Sequence, residues 1–397
     1  MLAARAWLAR SGFVIASIGA SPTAAWAAQA PAADGGRAGS AEPTALDSGI
    51  SAAATDPEGA DAPRVPFRAS TLFWDNAASV DSLGVGEDYQ SRNPVYEMAL
   101  GFRPRYYFRD VEGESLSARG DIALVREFTD SDSTTERGEW TFTDAEVWLA
   151  YVRRVNETPG ASTDLVLRAP QLILPTSTVS ASNGKILGLG LGGGVEQAVP
   201  LRGEGASFLA KAALRVNARY IYQFVSSTVP TSDEVERVRL GPDGRSLPSD
   251  QLSGSAFPEH QGAASVEAEV ELVSDLTLLS EFGLRYAYRR ALDQRVEVCG
   301  VVATGCAEVG TRGDAPRYGV STLFNVELGY DLTKQLALAI GYSNLTGQLG
   351  ADGQRRQPFY SHDARGYFTV TLALDELYLA ATGQRTTAAA TGITHQY

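Results

Sequence analysis

Charged side chains recur at every second position in several segments of the sequence. In "ASVEAEVELV", Glu267, Glu269 and Glu271 alternate with small or apolar residues. Alternate side chains of a β-strand point to the same face, so this spacing gathers the three carboxylates on one side. The same spacing collects basic side chains on one face of "SFLAKAALRVNARYIYQFV": Lys211, Arg215 and Arg219. Opposite charges on adjacent strands are suited either to a salt-bridge network or to lining a water-filled path for polar solutes.

The two cysteines, Cys299 and Cys306, lie close together in "VCGVVATGCAEV". In an exported protein, such a close pair predicts a disulfide that closes a small loop. The three histidines, His260, His362 and His395, are not near this pair in sequence, so a metal site is not indicated. The sequence points to no cofactor.

The elements that must position the charges are long alternating strands. In "LLSEFGLRYAYRR", residues 278–290, one face is aromatic or apolar and the other carries Glu281, Arg285 and Arg289. Six pairs of such segments, each joined by a short polar turn, follow a single strand near "FRASTLFWDN". The sixth pair joins "GYFTVTLAL" to "LYLAATGQ", and a short last strand is predicted in "TGITHQY".

The connections between these hairpins are long and polar, and the longest, residues 226–262, contains "TSDEVERVRLGPDGRSLPSDQ". Short turns that alternate with long loops are typical of transmembrane barrels, whereas a soluble sandwich has shorter strands. We therefore predict an all-β fold: a transmembrane antiparallel up-and-down β-barrel of about fourteen strands, with twelve to sixteen possible. In a barrel the aromatic faces meet lipid and the charges point inward.

The start of the chain predicts export. Residues 1–27 combine Arg5 and Arg10 with the apolar run "SGFVIASIGA" and the small-residue site "AAWA", as in a signal peptide. Residues 28–66 are rich in Ala, Gly, Pro and Asp and are expected to be disordered in the periplasm, which leaves residues 67–397 for the barrel. The net charge of −13 argues against a nucleic-acid partner.

The strand pattern resembles that of the Gram-negative outer-membrane β-barrels as a class, over roughly residues 67–397. The resemblance implies location in the cell outer membrane. It also implies contact with its lipid and lipopolysaccharide, and assembly by the barrel-assembly machinery. "LPTS", residues 174–177, faintly resembles the L-P-T-G element of barrels associated with aromatic-compound degradation. "SASNG", residues 180–184, is similar to the H-x-S-N-G stretch of outer-membrane phospholipase A, but Ser180 replaces the catalytic histidine. We therefore do not expect an enzyme.

The predicted function is a passive, porin-like channel for small polar solutes. Two alternatives stay open: a structural or plugged barrel, and a transporter of hydrophobic solutes of the fatty-acid type. "YEMALGFRPRYYFR" is expected to turn Glu97, Arg103, Arg105 and Arg109 inward. The side chains expected to line the lumen are Arg103, Arg105, Lys211, Arg215, Arg219, Glu267, Glu269, Glu271, Glu281, Arg285, Arg289 and Glu327.

Overall fold

The computed structural model describes residues 65–80, 95–129, 138–158, 161–182, 184–201, 211–226, 239–240, 246–247, 257–273, 275–291, 295–299, 306–310, 317–349, 355–361 and 364–383. The predicted signal peptide, the segment 28–64 and the predicted last strand "TGITHQY" lie outside the described residues.

Within this part of the chain, twelve antiparallel strands pair into a closed ring. Each ring strand pairs with the next along the chain, and the last pairs with the first, from Thr71 opposite Ala373 to Ser79 opposite Arg365. This closure confirms the predicted up-and-down barrel. The ring strands are β1 (Thr71–Ser79), β2 (Tyr96–Arg103), β4 (Glu114–Glu127), β6 (Ala145–Thr158), β7 (Ala161–Leu174), β8 (Lys185–Pro200), β9 (Lys211–Val225), β12 (Pro258–Val273), β13 (Leu276–Arg289), β16 (Tyr318–Thr333), β17 (Leu336–Gly347) and β18 (Arg365–Ala373).

Short strands add to this ring without enlarging it. β3 (Arg105–Val111) resumes β2 after Pro104, and β5 (Trp140–Phe142) precedes β6; both pair with β4. A proline has no N–H to give to the ladder, although the Pro104 carbonyl still accepts from the N–H of Gly120 at 2.9 Å. Two small two-stranded sheets lie off the ring: β10 (Arg239–Leu240) with β11 (Ser246–Leu247), and β14 (Arg295–Cys299) with β15 (Cys306–Gly310).

The sixth predicted hairpin is wrong in its second strand. "LYLAATGQ" lies mostly in helix α2 (Leu374–Ala381), directly after β18. The helix is tied to the chain before β1, because the Ala69 N–H donates to Asp375 Oδ2 at 2.8 Å and the Phe67 and Tyr378 rings are 5.3 Å apart. The sheet is already closed at β18, so a further strand would have no edge to join. No helix among the described residues has the length and apolar character needed to cross a membrane.

The two faces of the barrel wall differ in polarity. On β9, Leu214 and Val216 are 47% and 51% exposed, whereas Arg215 between them is 3% exposed. Large apolar side chains therefore lie on the outer surface, and charged side chains lie inside. In a membrane, a closed sheet satisfies every backbone hydrogen bond, and an apolar outer face matches the lipid. The chain is thus a β-barrel of the bacterial outer membrane, as the sequence pattern predicted.

A segment of the connection between β17 and β18, residues 355–361, lies against the outside of the wall; we call it the strap. Asn344 is completely buried beneath it, donating to the Pro358 carbonyl at 2.8 Å and accepting from Ser361 Oγ at 2.6 Å. The Phe359 ring lies 5.0 Å from that of Phe324. The strap thereby covers a polar part of the outer wall and places an aromatic ring over it.

Candidate functional site in the barrel interior

Buried carboxylates surround Arg215. Its Nε lies 3.1 Å from Glu196 Oε2 and its Nη2 lies 2.7 Å from Glu269 Oε2, while Nη1 pairs with Glu267. Glu196 and Glu267 are its register partners on β8 and β12, so strand pairing itself brings these groups together. The planar guanidinium presents five N–H donors and is therefore suited to several carboxylates at once.

This cluster belongs to a longer ionic row that crosses adjacent strands. Next to Glu196 in register is Asp164 on β7, which lies opposite Arg154 on β6. The Arg154 Nε–Asp164 Oδ1 distance is 3.0 Å. On the other side, Glu267 lies opposite Glu281 on β13, which is 3% exposed. Ion pairs join β6 to β7 and β9 to both β8 and β12. Asp164 beside Glu196 and Glu267 beside Glu281 bring like charges together in the same row, which is largely shielded from water.

A second charged group lies near β1 and is less buried. Arg103 Nε lies 2.9 Å from Asp121 Oδ2, and the two side chains are 15% and 31% exposed. The Arg103 guanidinium also lies 4.1 Å from the centre of the Phe73 ring. Asp121 lies midway along β4, on its inward face, so its exposure arises inside the barrel. This side of the interior is therefore accessible to solvent.

A related pair, Glu97 of β2 and Arg365 of β18, lies nearer the end of the barrel with the long connections. Their side chains are 22% and 21% exposed. Together with Arg103 and Asp121, they form a partly hydrated charged face, which we call the open wall. The side chains of the ionic row around Arg215 are, by contrast, largely shielded from water.

Three other residues expected in the lumen, Arg219, Glu327 and Arg105, have polar side-chain partners outside the Arg215 cluster. Arg219 Nη1 lies 3.8 Å from Glu146 Oε2, and Glu327 accepts from the Tyr367 hydroxyl at 2.9 Å. Arg105 is 5% exposed, with Nη1 donating to the Tyr107 hydroxyl at 3.3 Å.

The remaining members of the predicted set lie towards the barrel ends or beside small residues. Lys211 and Glu271 are register partners near the short-turn end. Arg285 lies in register with Ala263, which separates it from Arg219. The Arg289 carbonyl accepts from Arg317 Nε at 2.9 Å, at the opposite end of the barrel.

The inward orientation expected for Arg109 is wrong. The strand register shifts between Tyr107 and Arg109, and the Arg109 side chain is 60% exposed. A bulge inserts an extra residue and reverses the alternation of side chains.

Six charged residues of the site were missed in the sequence: Asp121, Glu146, Arg154, Asp164, Glu196 and Arg365. Glu196 lies on the inward face of the glycine-rich strand β8, whose outward face carries Leu191 and Val195, both about half exposed. In "ILGLGLGGGVEQAV" large apolar residues alternate with small or polar ones, and this alternation would have predicted that Glu196 faces inward. The glycines of this strand allow close approach: a Cβ on Gly194 would lie 2.3 Å from Asn217 Oδ1.

The "LPTS" and "SASNG" segments meet at the rim, around Asp144. Asp144 Oδ1 accepts from Ser177 Oγ at 2.7 Å, and Oδ2 accepts from Ser180 Oγ at 2.5 Å and from Lys185 Nζ at 3.1 Å. Burial alone would raise the pKa of Asp144, but the Lys185 ammonium and the two hydroxyls outweigh it and hold that pKa below its ordinary value. Ser180 is 2% exposed, so the cluster anchors helix α1 (Thr178–Ser182) and does not present a nucleophile.

The cysteines lie at register positions opposite each other, Cys299 on β14 and Cys306 on β15. This backbone pairing brings the two residues together. Their disulfide stays a prediction.

No protein-family model matches the sequence, and no curated protein matches it. Among solved structures, an outer membrane channel from Pseudomonas putida F1 is 10% identical over 80% of this chain and 100% of that chain, with a TM-score of 0.46. The KdgM porin is 9% identical over 77% of this chain and 99% of its own, with a TM-score of 0.31. Outer membrane phospholipase A from Escherichia coli is 11% identical over 76% and 91% of the two chains, with a TM-score of 0.34. None of them identifies a solute or a reaction for this chain.

Proposed function

We propose that the protein is a passive channel for small polar solutes in the outer membrane. The observation that carries this proposal is the exposure of Asp121, which is 31% although the residue lies midway along the wall and faces inward. A barrel filled with side chains would bury such a carboxylate. Its ion-pair partner Arg103 is also partly exposed, which supports a hydrated path along the open wall.

The ionic row around Arg215 has a different role in this proposal. Its side chains are too buried to meet a passing solute, since Arg215 and Glu267 are 4% and 0% exposed. It stiffens one side of the barrel, while the open wall borders the path. A path bordered by charges of both signs favours polar solutes over apolar ones, because an apolar solute cannot replace the water that hydrates them.

The proposal is tested by planar-bilayer recordings of the purified protein. The wild type should give discrete, ohmic conductance steps. A silent wild type would contradict the channel and favour a plugged barrel.

A cysteine-accessibility experiment locates the path. In Asp121→Cys, a charged, membrane-impermeant thiol reagent should reduce the conductance, because the side chain borders the path. Ile122→Cys is the matched control, since it is the next residue on the same strand and faces the opposite side. Equal sensitivity of the two variants would contradict the assignment of the open wall.

A further inference from the structure

Aromatic side chains form a row on the outer surface near the barrel end with the long connections. Tyr222, His260, Tyr288 and Tyr318 are register partners on β9, β12, β13 and β16. The row faces outward, and Tyr318 is 64% exposed. In outer-membrane barrels the end with long loops faces the cell exterior, and such rings mark the boundary between the acyl chains and the headgroups.

Two arginines stand directly above this row, at the ends of β13 and β16. The Arg317 guanidinium lies 4.4 Å from the centre of the Tyr288 ring, and that of Arg290 lies 5.8 Å from the centre of the Tyr222 ring. Their side chains are 39% and 21% exposed. Both cations therefore lie on the outside of the barrel, at the level where lipid headgroups begin.

Backbone contacts hold both guanidiniums in place. Arg317 Nε donates to the Arg289 carbonyl at 2.9 Å, and Arg290 Nη2 donates to the Gln223 carbonyl at 2.7 Å. Arg side chains fixed in this way lose little further conformational freedom when they bind an anion.

Among the described residues, one carboxylate lies between the two arginines and compensates only part of their charge. Glu259 Oε1 is 3.6 Å from Arg290 Nη1, and Oε2 is 3.9 Å from Arg317 Nη2. These separations exceed those of a strong charge-assisted hydrogen bond, about 2.7–2.9 Å. Within the part of the chain that the structure describes, two guanidiniums with one distant carboxylate give this spot a net positive charge.

We propose that Arg290 and Arg317 bind the phosphate group of a phosphorylated glycolipid in the outer leaflet, the chemistry of lipopolysaccharide. A phosphate accepts several hydrogen bonds from guanidinium groups, and the tyrosine rings below supply an apolar surface for the acyl chains. A lipid is favoured over a phosphate ion in solution because both arginines stack on rings of the lipid-facing surface. This assignment depends on the outer-membrane location and is independent of channel activity.

The test is thermal unfolding of the purified full chain in detergent with added lipid A. Lipid A should raise the unfolding temperature of the wild type, while dephosphorylated lipid A and inorganic phosphate at the same concentration should not. Arg290→Gln with Arg317→Gln should weaken lipid A binding at least about tenfold, as expected for the loss of charge-assisted hydrogen bonds. Arg109→Gln, an exposed arginine near the opposite end of the barrel, should leave the affinity unchanged.

Three results would overturn the proposal. They are unchanged affinity in the double variant, equal stabilisation of the wild type by the dephosphorylated lipid, and equal stabilisation by inorganic phosphate, which would indicate a site for a soluble anion. If the double variant does not give a heat-modifiable barrel, Arg317→Gln alone serves, since this side chain is the more exposed of the two. It should still weaken binding severalfold, and unchanged affinity would again contradict the site.

Discussion

Arg215 and Glu267 form an ion pair that is almost completely removed from solvent, with 4% and 0% of their side chains exposed. Arg215 also contacts Glu196 and Glu269. Replacing it by Met should therefore leave several carboxylates without their counter-charge in a dry environment. We expect Arg215→Met to lower the free energy of unfolding by about 3–5 kcal/mol, the usual cost of removing one partner of a buried pair.

The measurement is urea-induced unfolding in lipid vesicles, followed by tryptophan fluorescence. Arg103→Met is the matched control, because Arg103 belongs to the partly hydrated open wall. Its loss should cost about 1 kcal/mol, as for more exposed ion pairs. Similar losses in the two variants would contradict the division of the interior into a dry and a hydrated side.

The open wall should set the ion selectivity of the channel. Arg103→Gln removes a positive charge beside the path and should shift the reversal potential towards cation selectivity. Asp121→Asn should shift it towards anion selectivity. A fixed charge acts on ions in a narrow path through a lower effective dielectric than that of bulk water. Reversal potentials in a salt gradient measure both shifts, and Arg109→Gln is expected to produce none.

The strap should be released by a change in one buried side chain. Asn344→Ala removes both hydrogen bonds that hold Pro358 and Ser361 against the wall. Trypsin added outside intact cells should then cleave after Arg355 or Arg356 faster than in the wild type. Ser343→Ala, on the opposite face of the same strand, should leave the cleavage rate unchanged. An unchanged rate in Asn344→Ala would show that the strap is held mainly by Phe359.

The cysteine pair gives a prediction that the backbone register supports. Since Cys299 and Cys306 are directly opposite on β14 and β15, a disulfide between them is expected. Thiol labelling of denatured, unreduced protein should detect no reactive thiols, whereas stoichiometric labelling would refute the bond. The double serine variant should still assemble, because the bond closes only a local loop.

The sequence predicts the barrel class because alternation of polar and apolar residues follows directly from extended backbone geometry. On β12, the period of two correctly places Glu267 and Glu269 beside Arg215 once the strands pair. It cannot reveal the bulge that turns Arg109 outward, since one inserted residue leaves no mark in composition. The period of two also does not indicate which carboxylates are buried from solvent, because their burial depends on how the whole ring closes.

The end of the barrel shows a similar limit. In "LDELYLAA" the apolar residues fit a short helix as well as a strand, and short apolar runs do not distinguish the two. The pairing of β18 with β1 excludes a further strand here, because it leaves the sheet without an edge to which that strand could add. Such a long-range pairing cannot be read from the local pattern.

This closure also predicts which part of the C-terminal sequence is needed for assembly. A chain that stops after Gly383 retains β18 and helix α2, including the contact between Asp375 and Ala69. It should therefore assemble and migrate as a heat-modifiable band. A chain that stops after Ala364 lacks β18, leaves β1 and β17 with unpaired edges, and should not fold, since unsatisfied backbone groups are costly in lipid. Failure of the chain ending at Gly383 would contradict this expectation and would show that residues 384–397 are needed for assembly.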